Sequence, residues 1–255
     1  MRMDYTLLDP TGNRTLLVTT PVAEPRQPAL AAALMAAEPG TEQVGFFALT
    51  EEGFSLRMAG GEFCGNASLC AAVMTARARG ITRLAVAGRV LGAASPVYAE
   101  VEALTADTWR GTVDMPRPLR IEEEALPGGR FPVVRFPGIS HVILRETLPR
   151  EEAEALAPVW CAALKAEALG LLFFDEDAQR LTPLVYVPGA GTLCWESSCA
   201  SGSTAVGAYL AALTGEKQRL TLCNPGGSLT VEAAPAGSVR LTGRVRLVKE
   251  GSAEV

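Results

Sequence analysis

Two segments of the chain each place a cysteine where a helix is predicted to begin. Residues 61–68 read GEFCGNAS and residues 196–203 read ESSCASGS, so Glu62 precedes Cys64 and Glu196 precedes Cys199. In both segments, small residues and an alanine-rich helical pattern follow the cysteine. The N–H groups and the macrodipole at a helix N-terminus stabilise a thiolate. Two such thiols on opposite sides of a carbon acid could remove a proton from one face and return one to the other, which inverts the stereocentre.

The elements that must position these cysteines follow a similar order in both halves of the chain. Helices are predicted at residues 28–37, 66–79, 151–164 and 204–213. Strands are predicted in the first half at residues 5–8, 15–20, 44–50, 53–58, 83–86, 99–104 and 109–114. In the second half they are predicted at residues 131–136, 141–145, 170–174, 181–187, just before 196, and at 219–222, 228–233 and 239–241. The repeated order indicates an internal duplication of a mixed α+β unit, with a boundary near Pro116 and Pro118.

Bulk composition fits a soluble globular protein. Of the 255 residues, 48% are hydrophobic and 20% charged, as in ordinary globular proteins. The net charge of −5 argues against nucleic acid as a main partner, because phosphate binding draws on clustered Lys and Arg. The sequence has no apolar run long enough for a membrane span and no signal-peptide pattern near Met1. We therefore expect a cytoplasmic protein with reduced cysteines.

The rarest residue types restrict the possible cofactors. The chain has three lysines, Lys165, Lys217 and Lys249, and none lies in a glycine-rich phosphate-binding context. Pyridoxal phosphate enzymes need a lysine for the Schiff base, so an amino-acid racemase built on this chain is expected to work without that cofactor. The only histidine is His141, and the cysteine spacings do not fit a structural zinc site. We expect neither a cofactor nor a metal.

Other interpretations of the cysteines and of His141 remain open at this stage. A cysteine in a reduced compartment is most often an inert packing residue, which is how we interpret Cys70, Cys161 and Cys223. Cys64 and Cys199 could also form a disulfide on oxidation. His141 could be a satisfied structural histidine, or it could pair with one cysteine in a hydrolase. A hydrolase would leave the second cysteine-led helix unexplained.

Seven segments distributed along the chain resemble those of one enzyme family. They are PTGN (10–13), EQVGF (42–46), EFCGNA (62–67), GISH (138–141), LFFD (172–175), WESSCASG (195–202) and PGGS (225–228). Through these segments the chain is similar to the cofactor-independent two-cysteine racemases and epimerases with the diaminopimelate epimerase fold. Within that family it most resembles the histidine racemases that supply D-histidine for bacterial opine-type metallophores.

The resemblance implies a fold and a domain organisation. The expected fold class is α+β, with two pseudo-symmetric lobes, each a barrel-like mixed sheet around a central helix. The N-terminal lobe is expected to comprise residues 1–116 together with a returning C-terminal strand at about residues 243–255. The C-terminal lobe is expected to comprise residues 117–242. The resemblance also implies a possible homodimer and an amino acid as the small-molecule partner.

The resemblance further assigns roles to individual residues. It implies that Cys64 and Cys199 are the catalytic acid/base pair and that Glu196 and His141 support proton transfer beside them. It implies substrate contacts for three side chains, those of Asn13, Gln43 and Asn66. It also implies that amides at the two helix starts hold the substrate α-carboxylate, as expected of helix N-termini, and these belong to Gly65, Asn66, Ala200 and Ser201.

Departures from the family pattern bear on the substrate. Diaminopimelate epimerases carry an arginine directly after the position of Glu196, where this chain has Ser197. Their Asn-Pro pair before the histidine is replaced by Ile139 and Ser140. A second zwitterionic end would therefore lack its usual partners, so histidine is expected rather than diaminopimelate. Epimerisation of another amino acid remains an alternative, and so does a non-catalytic amino-acid-binding protein.

Overall fold

The computed structural model of the protein describes residues 2–254, which group into two compact units. Unit 1 contains the residues up to Asp114 and those from Thr242 onward, and unit 2 contains Met115–Leu241. The chain therefore passes from unit 1 to unit 2 and back again. The division into two domains, residues 1–116 with 243–255 and residues 117–242, stays a prediction.

Unit 1 is a closed barrel of strands around a helix. Its strands are β1 (Arg2–Pro10), β2 (Thr15–Val18), β3 (Gln43–Leu49), β4 (Gly53–Met58), β5 (Arg83–Val90), β6 (Val97–Ala103), β7 (Thr108–Met115) and most of β16 (Val239–Glu254). Each strand pairs with the next in that order, and β16 also pairs with β1, which closes the barrel. The helices are α1 (Gln27–Ala37) and α2 (Gly65–Ala78). Nearly every residue of α2 is buried, as expected of a helix enclosed by a sheet.

Unit 2 has a similar order of strands and helices. Its strands are β8 (Arg120–Leu126), β9 (Gly129–Phe136), β10 (Ile139–Leu144), β11 (Leu169–Asp175), β12 (Arg180–Val187), β13 (Thr192–Trp195), β14 (Gln218–Asn224), β15 (Gly227–Ala233) and the start of β16. The pairing order from the start of β16 is β15, β14, β12, β11, β10, β9 and β8, and β13 pairs with β12. The helices are α3 (Arg150–Ala163) and the mostly buried α4 (Ala200–Thr214).

The parallel strand pairs reveal the duplication. In unit 1, α1 connects the parallel pair β2–β3, and α2 connects the parallel pair β4–β5. In unit 2, α3 connects the parallel pair β10–β11, and α4 follows β13 within the connection between the parallel strands β12 and β14. The remaining neighbours are mostly antiparallel, so each sheet is mixed and the predicted α+β class is confirmed.

Small residues let the central helices lie close to their sheets. A Cβ on Gly207 of α4 would lie 2.5 Å from Cγ1 of Val231 on β15. A Cβ on Gly111 of β7 would lie 2.8 Å from Cδ2 of Leu69 on α2. The alanine-rich composition of both helices therefore reflects the little space available between helix and strands.

Besides shifts in the ends of several strands, three differences from the sequence-based elements have a clear cause. Helix α4 begins at Ala200 instead of residue 204, because the side chain of Cys199 caps it. Strand β8 was not predicted because its sequence, RIEEEAL, is dominated by charge. Its Glu122 and Glu124 both pair with Arg135 on the neighbouring strand β9, which lets the charged strand form. The predicted strand at 239–241 and the C-terminal strand expected at about 243–255 are one continuous strand, β16.

Candidate active site

Cys64 is the N-cap residue of α2 and has an extended backbone, with φ −134° and ψ 115°. Its Sγ accepts a hydrogen bond from the amide of Ala67 at 3.4 Å. Its carbonyl accepts the amide of Ser68 at 3.0 Å, which is the first bond of the helical ladder. The sulfur therefore takes the place of the Ser, Thr or Asp oxygen that usually caps a helix. A partly buried thiol is thus held at the positive end of the helix dipole.

A network of side-chain amides fixes the surroundings of Cys64. The thiol donates to Oε1 of Gln43 at 3.2 Å. Nε2 of Gln43 donates to Oδ1 of Asn13 and to Oγ1 of Thr15, each at 2.6 Å. Nδ2 of Asn66 donates to the same Asn13 oxygen at 3.2 Å. These contacts set the orientation of the Gln43 amide, with its oxygen toward the sulfur.

Asn13 is itself held from two directions. Its Nδ2 donates to Oε2 of Glu42 at 2.6 Å, so the side-chain oxygen is left facing Gln43 and Asn66. The turn that presents Asn13 has left-handed backbone at Thr11 and at Gly12, with φ of 55° and 92°. The amide of Gly12 donates to Oδ1 of Asp9 at 2.6 Å, which stabilises this turn. The structure therefore brings the predicted residues Asn13, Gln43, Cys64, Gly65 and Asn66 together in unit 1.

Cys199 is the N-cap residue of α4 and repeats the geometry of Cys64. Its backbone is extended, with φ −115° and ψ 106°. Its Sγ accepts the amide of Gly202 at 3.2 Å, and its carbonyl accepts the amide of Ser203 at 2.9 Å. A Cβ on Gly202 would lie 3.1 Å from this sulfur and 2.7 Å from Leu172, so glycine gives the thiol its space. The two cysteine-led helix starts are thus built in the same way.

The electrostatic surroundings of Cys199 include a carboxylate. Cys199 is 4% exposed. Burial raises the pKa of its thiol well above the ordinary value, and the nearby carboxylate of Glu196 raises it further through charge and a hydrogen bond. The Gly202 amide lowers the pKa of the same thiol. Since both protonation states of this sulfur have a partner, it can act as an acid and as a base.

His141 lies on β10 and is completely buried. Its Nε2 is 3.0 Å from Oγ of Ser201, which in turn is 3.5 Å from Sγ of Cys199. Its ring packs edge-on against Phe136, with 6.0 Å between ring centroids. Burial lowers the pKa of His141 to about 3, so the imidazole is neutral near pH 7. The predicted residues His141, Glu196, Cys199, Ala200 and Ser201 therefore come together in unit 2.

Several residues of the site were not predicted from the sequence. Oδ1 of Asn224 accepts a hydrogen bond from the amide of Cys199 at 3.4 Å. In the turn that follows Asn224, the amide of Gly226 donates to the carbonyl of Ser197 at 2.7 Å. Thr15 bonds to Gln43, and Glu42 bonds to Asn13. The segment EQVGF contains Glu42, and the segment PGGS contains Gly226 and directly follows Asn224, so these parts of the family resemblance were the available signal.

The remaining cysteines have other surroundings. Cys70 and Cys161 are buried within helices, and burial raises the pKa of each thiol, so both agree with the packing role expected of them. Cys223 was also expected to be a packing residue, but it is exposed on β14 because its side chain points away from the core face of the strand. Cys194 is exposed on β13. Among residues 2–254, no group of three or more His, Cys, Asp or Glu is arranged to hold a metal ion.

Comparison with known proteins gives a match along the chain. A family model described as the histidine racemase CntK N-terminal domain matches residues 2–254. A histidine racemase from Fusobacterium nucleatum is 32% identical over 218 residues, which cover 82% of this chain and 81% of that protein. A histidine racemase from Staphylococcus aureus is 26% identical over 276 residues, covering 99% and 98%.

A solved structure shows the same fold at lower sequence identity. A predicted epimerase from Pseudomonas aeruginosa has a TM-score of 0.71 and 19% identity, and the match covers 99% of each chain. At this identity the likeness concerns the fold alone. Among the described residues, none of the helices has the length and apolar character needed to cross a membrane.

Proposed function

The chain belongs to the histidine racemase family, and from that premise we propose that it interconverts L- and D-histidine by a two-base mechanism that needs no cofactor. The family predicted from the sequence is thereby confirmed. As a member of this family, the protein is an isomerase with a small-molecule amino-acid substrate. The observation that carries the mechanism is the matched pair of helix starts, in which Cys64 and Cys199 each cap a helix with sulfur.

In the proposed mechanism, one thiolate removes the α-hydrogen of the substrate while the other thiol protonates the opposite face of the α-carbon. The first sulfur gains the proton that the substrate loses, and the second loses the proton that the product gains. Charge is therefore balanced, and the two cysteines exchange roles when the other enantiomer binds. Each sulfur must serve as an acid and as a base, which its local partners support.

The substrate carboxylate is proposed to bind at the helix starts. The first helical bonds are Ser68 N to Cys64 O and Ser203 N to Cys199 O, so the amides of residues 65–66 and 200–201 precede the helical ladders. Backbone N–H groups at such positions bind anions and would stabilise the negative charge that develops as the α-proton leaves. In unit 1, Asn13, Gln43 and Asn66 add polar contacts for the substrate.

Histidine is proposed as the substrate because of the named relatives and the missing arginine. The proteins similar to this chain are histidine racemases, and Ser197 stands where diaminopimelate epimerases carry an arginine for a distal carboxylate. All three lysines, Lys165, Lys217 and Lys249, are exposed, which does not suit a buried Schiff base. We further propose a cytoplasmic location and a homodimer.

The experiment is an assay of the purified protein with L-histidine in D2O and no added cofactor. Chiral chromatography should show D-histidine, and mass spectrometry should show that early product carries deuterium at Cα while unreacted L-histidine keeps protium. This pattern arises because the proton delivered comes from a thiol that has exchanged with solvent. Product that retains the original hydrogen would contradict a two-base mechanism, and the absence of any D-histidine would contradict the activity.

Matched cysteine variants separate the two catalytic thiols from the rest. Cys64→Ala and Cys199→Ala should each reduce racemisation by about 10²–10⁴-fold, the usual contribution of a general acid or base. Cys194→Ala and Cys223→Ala remove exposed thiols that cap no helix and should retain activity. Circular dichroism checks that all four variants are folded. A panel of the common L-amino acids with LL-diaminopimelate then tests the substrate, and preference for another member would contradict histidine.

A further inference from the structure

The side chain of Ser201 connects the buried histidine to the sulfur of Cys199. Oγ of Ser201 is 3.0 Å from Nε2 of His141 and 3.5 Å from Sγ of Cys199. A serine hydroxyl has one proton to donate and lone pairs to accept with. It can therefore donate to the histidine or to the sulfur, but not to both at once. Which of the two it does depends on which nitrogen of His141 carries the proton.

The packing of His141 decides its tautomer. Among residues 2–254, its Nδ1 has no hydrogen-bond partner. This side of the ring packs against Gly170, where a Cβ would lie only 2.2 Å from Nδ1. The ring is neutral because its burial lowers the pKa to about 3, so it carries one N–H. A buried N–H without an acceptor is rarer and more costly than a buried lone pair without a donor.

The proton of His141 is therefore placed on Nε2, where Ser201 offers an acceptor. Oγ of Ser201 accepts this bond, and its own hydrogen is then available to the sulfur of Cys199. We propose that Ser201 is a positioning residue whose hydroxyl, oriented by the His141 ring, donates a hydrogen bond to the Cys199 sulfur and favours its thiolate. The significance of this contact for turnover rests on the proposed racemase function, whereas the contact itself does not.

This role balances the other groups that face the sulfur. The carboxylate of Glu196 and the burial of the thiol favour the protonated form, whereas the amide of Gly202 favours the thiolate. Without a second donor, the Gly202 amide alone would stabilise the thiolate against the effects of burial and of the Glu196 carboxylate. Ser201 thus extends the role implied by the family resemblance, in which only its backbone amide was expected to contact the substrate.

The first test measures the tautomer directly. The chain has a single histidine, so protein labelled with ¹⁵N-histidine and freed of any purification tag gives one imidazole spin system. Long-range ¹H–¹⁵N correlation spectra distinguish a protonated Nε2 from a protonated Nδ1. We expect Nε2–H near neutral pH. A ring protonated on Nδ1 would mean that Ser201 donates to the histidine, and it would overturn the proposal.

The second test titrates the Cys199 thiol by its alkylation rate against pH, without substrate. The protein carries Cys194→Ser, so that the labelled peptide reports Cys199 alone, and the products are located by tandem mass spectrometry. Ser201→Ala should raise the midpoint pH of alkylation by about one unit, the effect expected on losing a hydrogen bond to a charged group. Ser201→Thr keeps the hydroxyl and should return the midpoint close to that of the parent protein.

Ser203→Ala is the matched control, because Ser203 is buried on the same helix and its Oγ has no hydrogen-bond partner among residues 2–254. It should leave the midpoint unchanged. An unchanged midpoint in Ser201→Ala, or an equal shift in Ser203→Ala, would refute the role of Ser201. Because neither measurement uses substrate, a protein without racemase activity could still confirm the contact. If the protein is an active racemase but Ser201→Ala leaves the midpoint pH of Cys199 alkylation unchanged, only this inference is contradicted.

Discussion

Replacement of His141 should make the protein more resistant to acid. The imidazole is completely buried and neutral, with its pKa lowered to about 3 from the ordinary value of 6.5. Above pH 6.5 the ring is neutral in both the folded and the unfolded chain, so it adds no pH dependence. Below pH 6.5 only the unfolded chain binds the proton, so folding stability is lost as the pH falls, until the pH reaches the folded pKa.

The size of the effect follows from the two pKa values. Each pH unit between them costs about 1.4 kcal/mol, so at pH 5 the wild-type protein should have lost about 2 kcal/mol of unfolding free energy through this residue. His141→Phe removes the titrating group and retains a ring beside Phe136. Its stability at pH 7 can differ for packing reasons. Between pH 7 and pH 5, the unfolding free energy of the variant should nevertheless increase by about 2 kcal/mol relative to that of the wild type.

The assay is urea unfolding at several pH values between 5 and 7, followed by tryptophan fluorescence. Two of the three tryptophans, Trp160 and Trp195, lie in unit 2 with His141, so the signal includes the unit that contains the substitution. Ser201→Ala is the control, because it removes the hydrogen bond to His141 but leaves the titrating ring in place. It should keep the wild-type pH dependence. If the difference in unfolding free energy between wild type and His141→Phe does not change between pH 7 and pH 5, the imidazole is not neutral and buried as described.

Two further predictions, the first with a control substitution, concern the surroundings of the site. Gly170→Ala should lower the unfolding free energy by about 1–3 kcal/mol in urea, because the added Cβ would overlap the His141 ring. Gly189→Ala is the control: no atom lies within 4 Å of its Cβ, so it should change the unfolding free energy by less than about 0.5 kcal/mol. Gln43→Glu should raise the pH midpoint of Cys64 alkylation by about one unit, because a carboxylate beside the sulfur opposes the thiolate. Equal stability of both glycine variants, or an unshifted Cys64 midpoint, would contradict these expectations.

The sequence predicted the elements of the fold better than their contacts. Helix starts at Cys64 and Cys199 are local events, set by small residues after a residue that can cap, and they are visible in a few consecutive positions. The alternation of strands and helices is equally local. Strand β8 was missed because its glutamates find their partner, Arg135, only when β9 pairs beside it.

The partners of the site residues could not be predicted, since they come from distant parts of the chain. Asn13 and Asn66 are separated by 53 positions, and His141 and Ser201 by 60. Which of these atoms meet depends on strand register and on the packing of each central helix, and neither is encoded in a local pattern. The family resemblance named His141 and Ser201 separately. Only the folded chain places Ser201 between the histidine and the sulfur.

The hydrogen bonds of the sulfurs distinguish the two cysteine helix caps from an inert thiol. A residue that takes a proton in one half-reaction and gives it in the other needs a donor for its thiolate and an acceptor for its thiol. Cys64 has the Ala67 amide and the Gln43 oxygen, and Cys199 has the Gly202 amide and the Glu196 carboxylate. Cys161 donates to the carbonyl of Ala166, an acceptor that favours only the thiol. The same pairing of donor and acceptor occurs at both duplicated helix starts, as the proposed two-base mechanism requires and as a binding protein would not.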